Sequence, residues 1–250
     1  MSESIIVFWQ PGCTSCLRTK EFLSAREVEY VSINVADNPD GMAYLRSLGA
    51  RSVPVVSRGK DFIYAQDLNH VARFVELDED VQPTLPPDML VDRLQKFLDI
   101  AISCVNQIPA EKLGDQFPGR PRSLLSLANH IFEIAGGFVK VTRGADFTGD
   151  VAAATPNSDR SVVELSSYQQ QLMNDIDTWW KDCDDKTCER VVTTYYGNQT
   201  LHALLERCAW HSAQHVRQVI MMLNNLGITP IISLTPDDLD DLPLPEKVWD

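Results

Sequence analysis

The feature that most constrains this chain is a break in its hydrophobic pattern at residues 77–87. Before the break, short apolar runs alternate with helical spacing; after it, apolar residues recur every three or four positions over long stretches. The segment between is acidic and carries Pro83, Pro86 and Pro87. Prolines break helix interiors, so it reads as a linker. The 250 residues therefore divide into an α/β unit at residues 1–76, an acidic proline-rich linker at 77–87, an all-α four-helix bundle at 88–235, and an acidic C-terminal tail at 236–250.

In the first unit, residues 4–9 form an apolar β-rich run ended by Pro11-Gly12. Residues 14–26 show helical spacing, residues 30–35 read as a second strand, and a helix is expected around 41–48. Strand 53–56 then turns at Arg58-Gly59-Lys60-Asp61 into strand 62–64, and a helix at 68–75 closes the unit. Strands alternating with helices and followed by a hairpin give a small α/β sheet. In the second unit, apolar stripes at 90–105, 124–141, 162–180 and 201–226 predict the four helices. A long connection at 108–122 and a hairpin at 190–200, turning on Gly197-Asn198, interrupt them.

The net charge of −13 argues against nucleic acid or an anionic membrane surface as partner. Residues 237–241 read as an exposed acidic tail. No run of 18 apolar residues and no signal-peptide pattern precede or interrupt the units, so a cytoplasmic location is expected. In such a reducing compartment, six cysteines are catalytic, metal-bound or buried rather than disulfide staples.

Cys13 and Cys16 stand apart by spacing. The order strand, Pro11-Gly12-Cys13-Thr14-Ser15-Cys16, helix puts Cys13 at a helix N-terminus, where unpaired N–H groups and the dipole favour thiolate. Cys16 follows one turn later, within reach to resolve a mixed disulfide, and Arg18 and Lys20 add positive charge. Spacing alone also fits buried structural cysteines or half of a zinc site. Ser52-Val53-Pro54 narrows the choice, having the form of the thioredoxin-fold loop in which a cis-proline faces the cysteine pair. Through these motifs and the later Gln66-Asp67-Leu68, residues 5–75 resemble the glutaredoxins. The resemblance implies glutathione as partner, bound at Val53, Pro54, Gln66 and Asp67, with Val53 beside the cis-proline Pro54 pairing to its backbone and Gln66 and Asp67 near its γ-glutamyl end. Thr14-Ser15 and Ile63-Tyr64 depart from that family's usual residues.

Five histidines occur. His211 and His215, four residues apart, share one helix face, as paired metal ligands must; Cys208 and Gln218 neighbour that face. His202 falls half a turn away and is not expected to ligate. His130 lies on another helix among Leu127, Ile131 and Ile134, at a core position. Three imidazoles with an open position suit a zinc-type site between bundle helices. The segments Arg122-Ser123-Leu124-Leu125-Ser126-Leu127-Ala128-Asn129-His130, His211-Ser212-Ala213-Gln214-His215-Val216-Arg217-Gln218 and Leu242-Pro243-Leu244-Pro245-Glu246-Lys247-Val248-Trp249 make residues 88–249 resemble the DinB/YfiT-like metal-binding bundles. That resemblance implies a triad at His130, His211 and His215, a divalent metal (zinc first, nickel second), and a low-molecular-weight thiol as cosubstrate.

The remaining cysteines, Cys104, Cys183, Cys188 and Cys208, read as buried or incidental thiols. Arg120 and Arg122 read as a solvated loop, with carboxylate docking as the alternative. The combined expectation is a thiol-dependent transferase or isomerase acting on a small electrophile or mixed disulfide, with glutathione or a related thiol. The alternative is a glutaredoxin-type reductase whose bundle recruits substrate, forms a homodimer, or senses redox state or metal.

Overall fold

The computed structural model describes residues 3–79, 81–149 and 159–249. The chain forms two compact units. The first comprises Met1–Gln82 with Pro118–Arg120 and Pro245–Asp250, and the second comprises Pro83–Phe117 and Pro121–Leu244.

The first unit runs β1 (Ile5–Trp9), α1 (Thr14–Ala25), β2 (Val31–Asn34), α2 (Pro39–Ser47), β3 (Val55–Arg58), β4 (Asp61–Tyr64) and α3 (Leu68–Phe74). Its sheet has the order β2-β1-β3-β4. β1 and β2 pair in parallel, with Val7 opposite Ser32, because α1 supplies the crossover that parallel strands need. β1 and β3 pair antiparallel, and so do β3 and β4, the last through a two-residue turn at Gly59-Lys60 between Arg58 and Asp61. Alternation along β1 sends Val7 into a core with Phe22, Leu23, Val56 and Val71, and Phe8 into a core with Val35, Leu45 and Val55. Helices α1 and α3 thus cover one sheet face and α2 the other, a thioredoxin fold. Helix α2 starts two residues earlier than the apolar pattern indicates, because Asn38 caps it and Pro39 suits its first position.

The second unit contains α4 (Pro87–Asn106), a 3₁₀ turn (Ala110–Lys112), α5 (Leu124–Thr142), α6 (Val162–Asp182), β5 (Val191–Thr194), β6 (Gly197–Thr200), α7 (Leu201–Asn225) and α8 (Pro236–Leu239). Helices α4, α5 and α6 pack on one another, and α7 packs against α4 and α5. Pro87, expected in the linker, opens α4 instead, since a helix's first N–H needs no partner. Helix α5 is the one described helix long and apolar enough to cross a membrane by length and composition, and 78% of its apolar window is buried inside the protein. It reads as a core helix. Helix α7 is buried on every side from Leu204 to Val216.

Two expectations need correction. The hairpin pairs Thr194 with Gly197, so it turns on Tyr195-Tyr196, and Gly197-Asn198 lie within β6. Tyr195 N–H donates to Phe147 O at 2.9 Å, and Tyr196 is 7% exposed, so tertiary contacts outweigh the local turn preference for Gly-Asn. Residues 237–241 are not simply an exposed tail. Asp238 is buried at the start of α8, where its carboxylate accepts from Thr235 N–H (2.9 Å) and Oγ1 (2.8 Å) and pairs with Lys96 Nζ (2.5 Å).

Burial raises the Asp238 pKa, but the bonds from Lys96 and Thr235 outweigh it and hold the carboxyl below its ordinary value. A group whose folded value is depressed contributes stability above its unfolded value, near pH 4, and loses it as pH falls through the folded value. Asp238→Asn is therefore expected to lower the Tm at pH 7. The gap from the parent protein should close when thermal unfolding is repeated toward pH 3.

Candidate active sites

Cys13 is the N-cap of α1, extended at φ −86° and ψ 106°, and its Sγ accepts the Cys16 N–H at 3.3 Å. The two cysteines form a disulfide with Cα atoms 5.2 Å apart. Cys13 is half-buried and Cys16 fully buried. This asymmetry leaves Cys13 the more accessible of the two sulfurs. On reduction, the same Cys16 N–H and the helix dipole stabilise a Cys13 thiolate.

The preceding turn is crowded. Gly12 holds φ at +64°, and a Cβ there would stand 2.2 Å from the Trp249 ring. The C-terminal segment is fixed by Glu246 and Lys247 N–H groups donating to the Glu21 carboxylate at 2.7 and 3.2 Å. Arg120 Nη1 donates to Pro11 O at 3.3 Å. Its burial lowers its pKa to about 10, and Arg122 is 6% exposed. The solvated loop expected at these arginines is therefore replaced by a packed one.

Val53-Pro54 is a cis peptide bond, placed just before β3, and Pro54 O accepts from Ala65 N at 3.0 Å. Gln66 is 4% exposed, and its Oε1 is buried without a hydrogen-bond partner among the described residues. Asp67 is used locally as the cap of α3, accepting from Asn69 N at 2.8 Å, with His70 Nε2 at 3.5 Å. Lys20 Nζ stands 3.4 Å from the Trp9 ring centroid, on the same unit.

Residues 5–63 match the Glutaredoxin family. The chain is 30% identical over 73 residues to an uncharacterized glutaredoxin-like 8.6 kDa protein in the rubredoxin operon of Clostridium pasteurianum, a match covering 29% of this chain and 97% of that protein. The chain belongs to the glutaredoxin family through this N-terminal part. Glutaredoxin-1 of Rattus norvegicus is 39% identical over 69 residues, covering 25% of this chain and 64% of the relative. The gene 56 protein of Mycobacterium phage D29 is 37% identical over 57 residues, covering 22% and 63%. The last two matches span just under two thirds of those relatives. The first unit is thus a glutaredoxin-like thiol–disulfide oxidoreductase domain.

In the second unit, α5 and α7 bring His130, His211 and His215 together. All three are buried, and one nitrogen of each lies within 4.8 Å of the others. Their ring centroids are 5.2 Å (130 to 211), 5.1 Å (130 to 215) and 4.5 Å (211 to 215) apart. His215 Nδ1 meets Gln218 Oε1 at 2.7 Å. Oε1 can only accept, so Nδ1 carries the hydrogen, and in the neutral ring the lone pair is then on Nε2. His211 Nδ1 is buried with no partner among the described residues. Burial, reinforced by His215, Arg207 and Arg122, holds His211 well below the usual imidazole range, so it stays neutral. Three buried, converging imidazoles, with an orphaned nitrogen on neutral His211, fit a divalent metal. Asn129 fixes α5 locally by bonding Arg160 N and O at 2.8 and 3.0 Å. His202 Nε2 bonds Leu85 O at 2.8 Å, away from the triad.

Sequence reasoning passed over Arg207, one turn before His211. It is 5% exposed, and its guanidinium carbon lies 5.2 Å from the Phe147 ring and 5.4 Å from the Tyr196 ring. Its spacing, four residues before His211 and so on the same helix face, was the available signal. Among the other thiols, burial pushes Cys104 and Cys188 to about 11 and Cys208 to about 12. None of these three is a thiolate at neutral pH.

Iodoacetamide treatment of the reduced, folded protein should therefore label Cys13 first and half-exposed Cys183 second, with Cys16, Cys104, Cys188 and Cys208 protected until unfolding. Peptide mass spectrometry reads the order directly.

Proposed function

We propose that this chain is a thiol-dependent transferase or isomerase in which glutathione, or another small thiol, is activated at a divalent metal held by His130, His211 and His215. The Cys13–Cys16 dithiol reduces mixed disulfides or regenerates the free thiol. The observation that carries this reading is the convergence of three buried imidazoles from two helices within 4.8 Å. A divalent ion in such a site supplies positive charge that favours thiolate over thiol. Zinc suits a set of three neutral nitrogens with one open position first, and nickel second. The resemblance of residues 88–249 to the DinB/YfiT-like bundles supports the same assignment.

The protein's own groups have distinct tasks. Helices α5 and α7 keep the imidazoles dry and hold His211 neutral, and Gln218 orients His215 through its 2.7 Å bond. In the first unit, the Cys13 thiolate attacks one sulfur of a mixed disulfide and expels the other sulfur as a thiolate. The Cys16 thiolate then attacks Cys13 Sγ, releasing the second thiol and leaving the Cys13–Cys16 disulfide. Two glutathione molecules supply the two electrons that restore the dithiol. Val53, Pro54 and Gln66 form the candidate thiol-binding edge, Gln66 through its partnerless buried Oε1. Asp67, already spent on the α3 cap, contributes charge there. This chemistry belongs to a reducing, cytoplasmic setting.

A second reading, a plain glutaredoxin-type reductase with an accessory bundle, is favoured by the glutaredoxin family match at residues 5–63. The readings separate on variants. On the leading one, His211→Ala loses the metal and the transfer of glutathione to electrophiles while disulfide reduction persists, and Cys13→Ser does the reverse. Gln218→Ala should weaken metal binding by about 10- to 100-fold, measured by competition with a chromophoric chelator. Full transfer activity in metal-free His211→Ala protein would sink the proposal in favour of the second reading.

A further inference from the structure

Arg207 is a buried cation that lacks a buried anion. Its Nε and Nη1 are inaccessible and have no hydrogen-bond partner among the described residues. The groups that act on its charge are Tyr196, Tyr195 and Cys208, of which Tyr195 and Cys208 also hydrogen-bond its side chain, and no carboxylate is among them. Glu206, next in sequence, takes the Thr84 N–H instead.

What surrounds the guanidinium is an aromatic box. Phe147 and Tyr196 lie 5.2 and 5.4 Å from it. Tyr195 stacks on Phe147 at 6.4 Å and meets Tyr196 edge-on at 5.0 Å. The box is built deliberately by the fold, since Phe147 joins the β5–β6 hairpin through Phe147 N to Thr193 O and Tyr195 N to Phe147 O, both 2.9 Å. Cation–π contacts recover only part of the hydration a guanidinium loses on burial, and Nε and Nη1 are left without an acceptor among the described residues. Four residues on one helix place Arg207 and His211 on the same face, about 6 Å apart along the axis. Arg122, also buried, reaches His211 electrostatically as well.

We propose that Arg207, walled by Phe147, Tyr195 and Tyr196, is a binding site for the carboxylate of a small organic acid, holding that acid with its other end at the imidazole triad. The inference rests on the proposed function only for what happens at that far end. A carboxylate oxygen accepts from the partnerless Nε–H and Nη1–H groups and neutralises the buried charge. Tyr195, the half-exposed ring, is the side of entry. The separation of about 6 Å selects acids whose reactive atom lies a few bonds from the carboxylate. Two sources carry that chemistry, the electrophilic substrate and the thiol itself.

The test uses the full chain, as purified and after EDTA treatment, with binding read by calorimetry. One arm compares crotonate with crotonamide, which differ mainly in charge; the other compares glutathione with its diethyl ester. At least a tenfold preference for the acid is expected in one arm, and that arm names the source. Arg207→Gln should remove the preference without changing amide or ester binding, and Arg207→Lys should keep part of it. Equal binding of acid and neutral analogue in both arms of the parent protein overturns the proposal without any variant. A preference that survives in Arg207→Gln also overturns it. Metal content is measured separately. An acid preference that needs metal and ignores Arg207 defeats this proposal but leaves the metal reading standing, whereas an Arg207-dependent preference in metal-free protein does the opposite.

Discussion

Desolvation of the polar side chains on α7 is the constraint to which the second unit answers. Arg207 buries two polar atoms, and His211 and Ser212 one each, without a partner among the described residues, and each such atom costs about 1–3 kcal/mol. The four together weigh heavily against a total stability of about 5–15 kcal/mol. Leucines at those positions would pack the same helix at no such cost. The bundle is built to hold these groups dry, and its architecture follows from that. His130 arrives from α5 and Gln218 orients His215, while the hairpin and Phe147 close over Arg207.

The first unit obtains its reactivity by shorter means. A helix start supplies the N–H that meets Cys13 Sγ at 3.3 Å, and burial of Cys16 keeps the second sulfur in reserve. Nothing beyond one turn of backbone is needed to poise the thiol. The two units thus show two routes to a thiolate, one by a helix terminus and one, as proposed, by a cation set among imidazoles.

That difference explains what could be read from sequence. Cys13 and Cys16 were legible because their chemistry depends on spacing within one element, and Val53-Pro54 because its loop has a local form. His211 and His215 were legible through the helical period, and His130 by its apolar neighbours. Arg207 was passed over, since its meaning lies in the rings of Phe147 and Tyr196, which lie outside its own helix. The turn at Tyr195-Tyr196 and the burial of Asp238 and Arg122 were missed for the same reason. In each, tertiary contacts overrode a local preference for glycine, exposure or solvation.

The central claim is that the imidazole triad holds a divalent ion that makes a small thiol acidic. The most direct measurement is proton release on mixing glutathione with metal-loaded full-length protein at neutral pH, followed with a pH indicator. The account predicts about one proton released per bound metal, and none from protein stripped with EDTA. Equal release from loaded and stripped protein, or none from either, would contradict it.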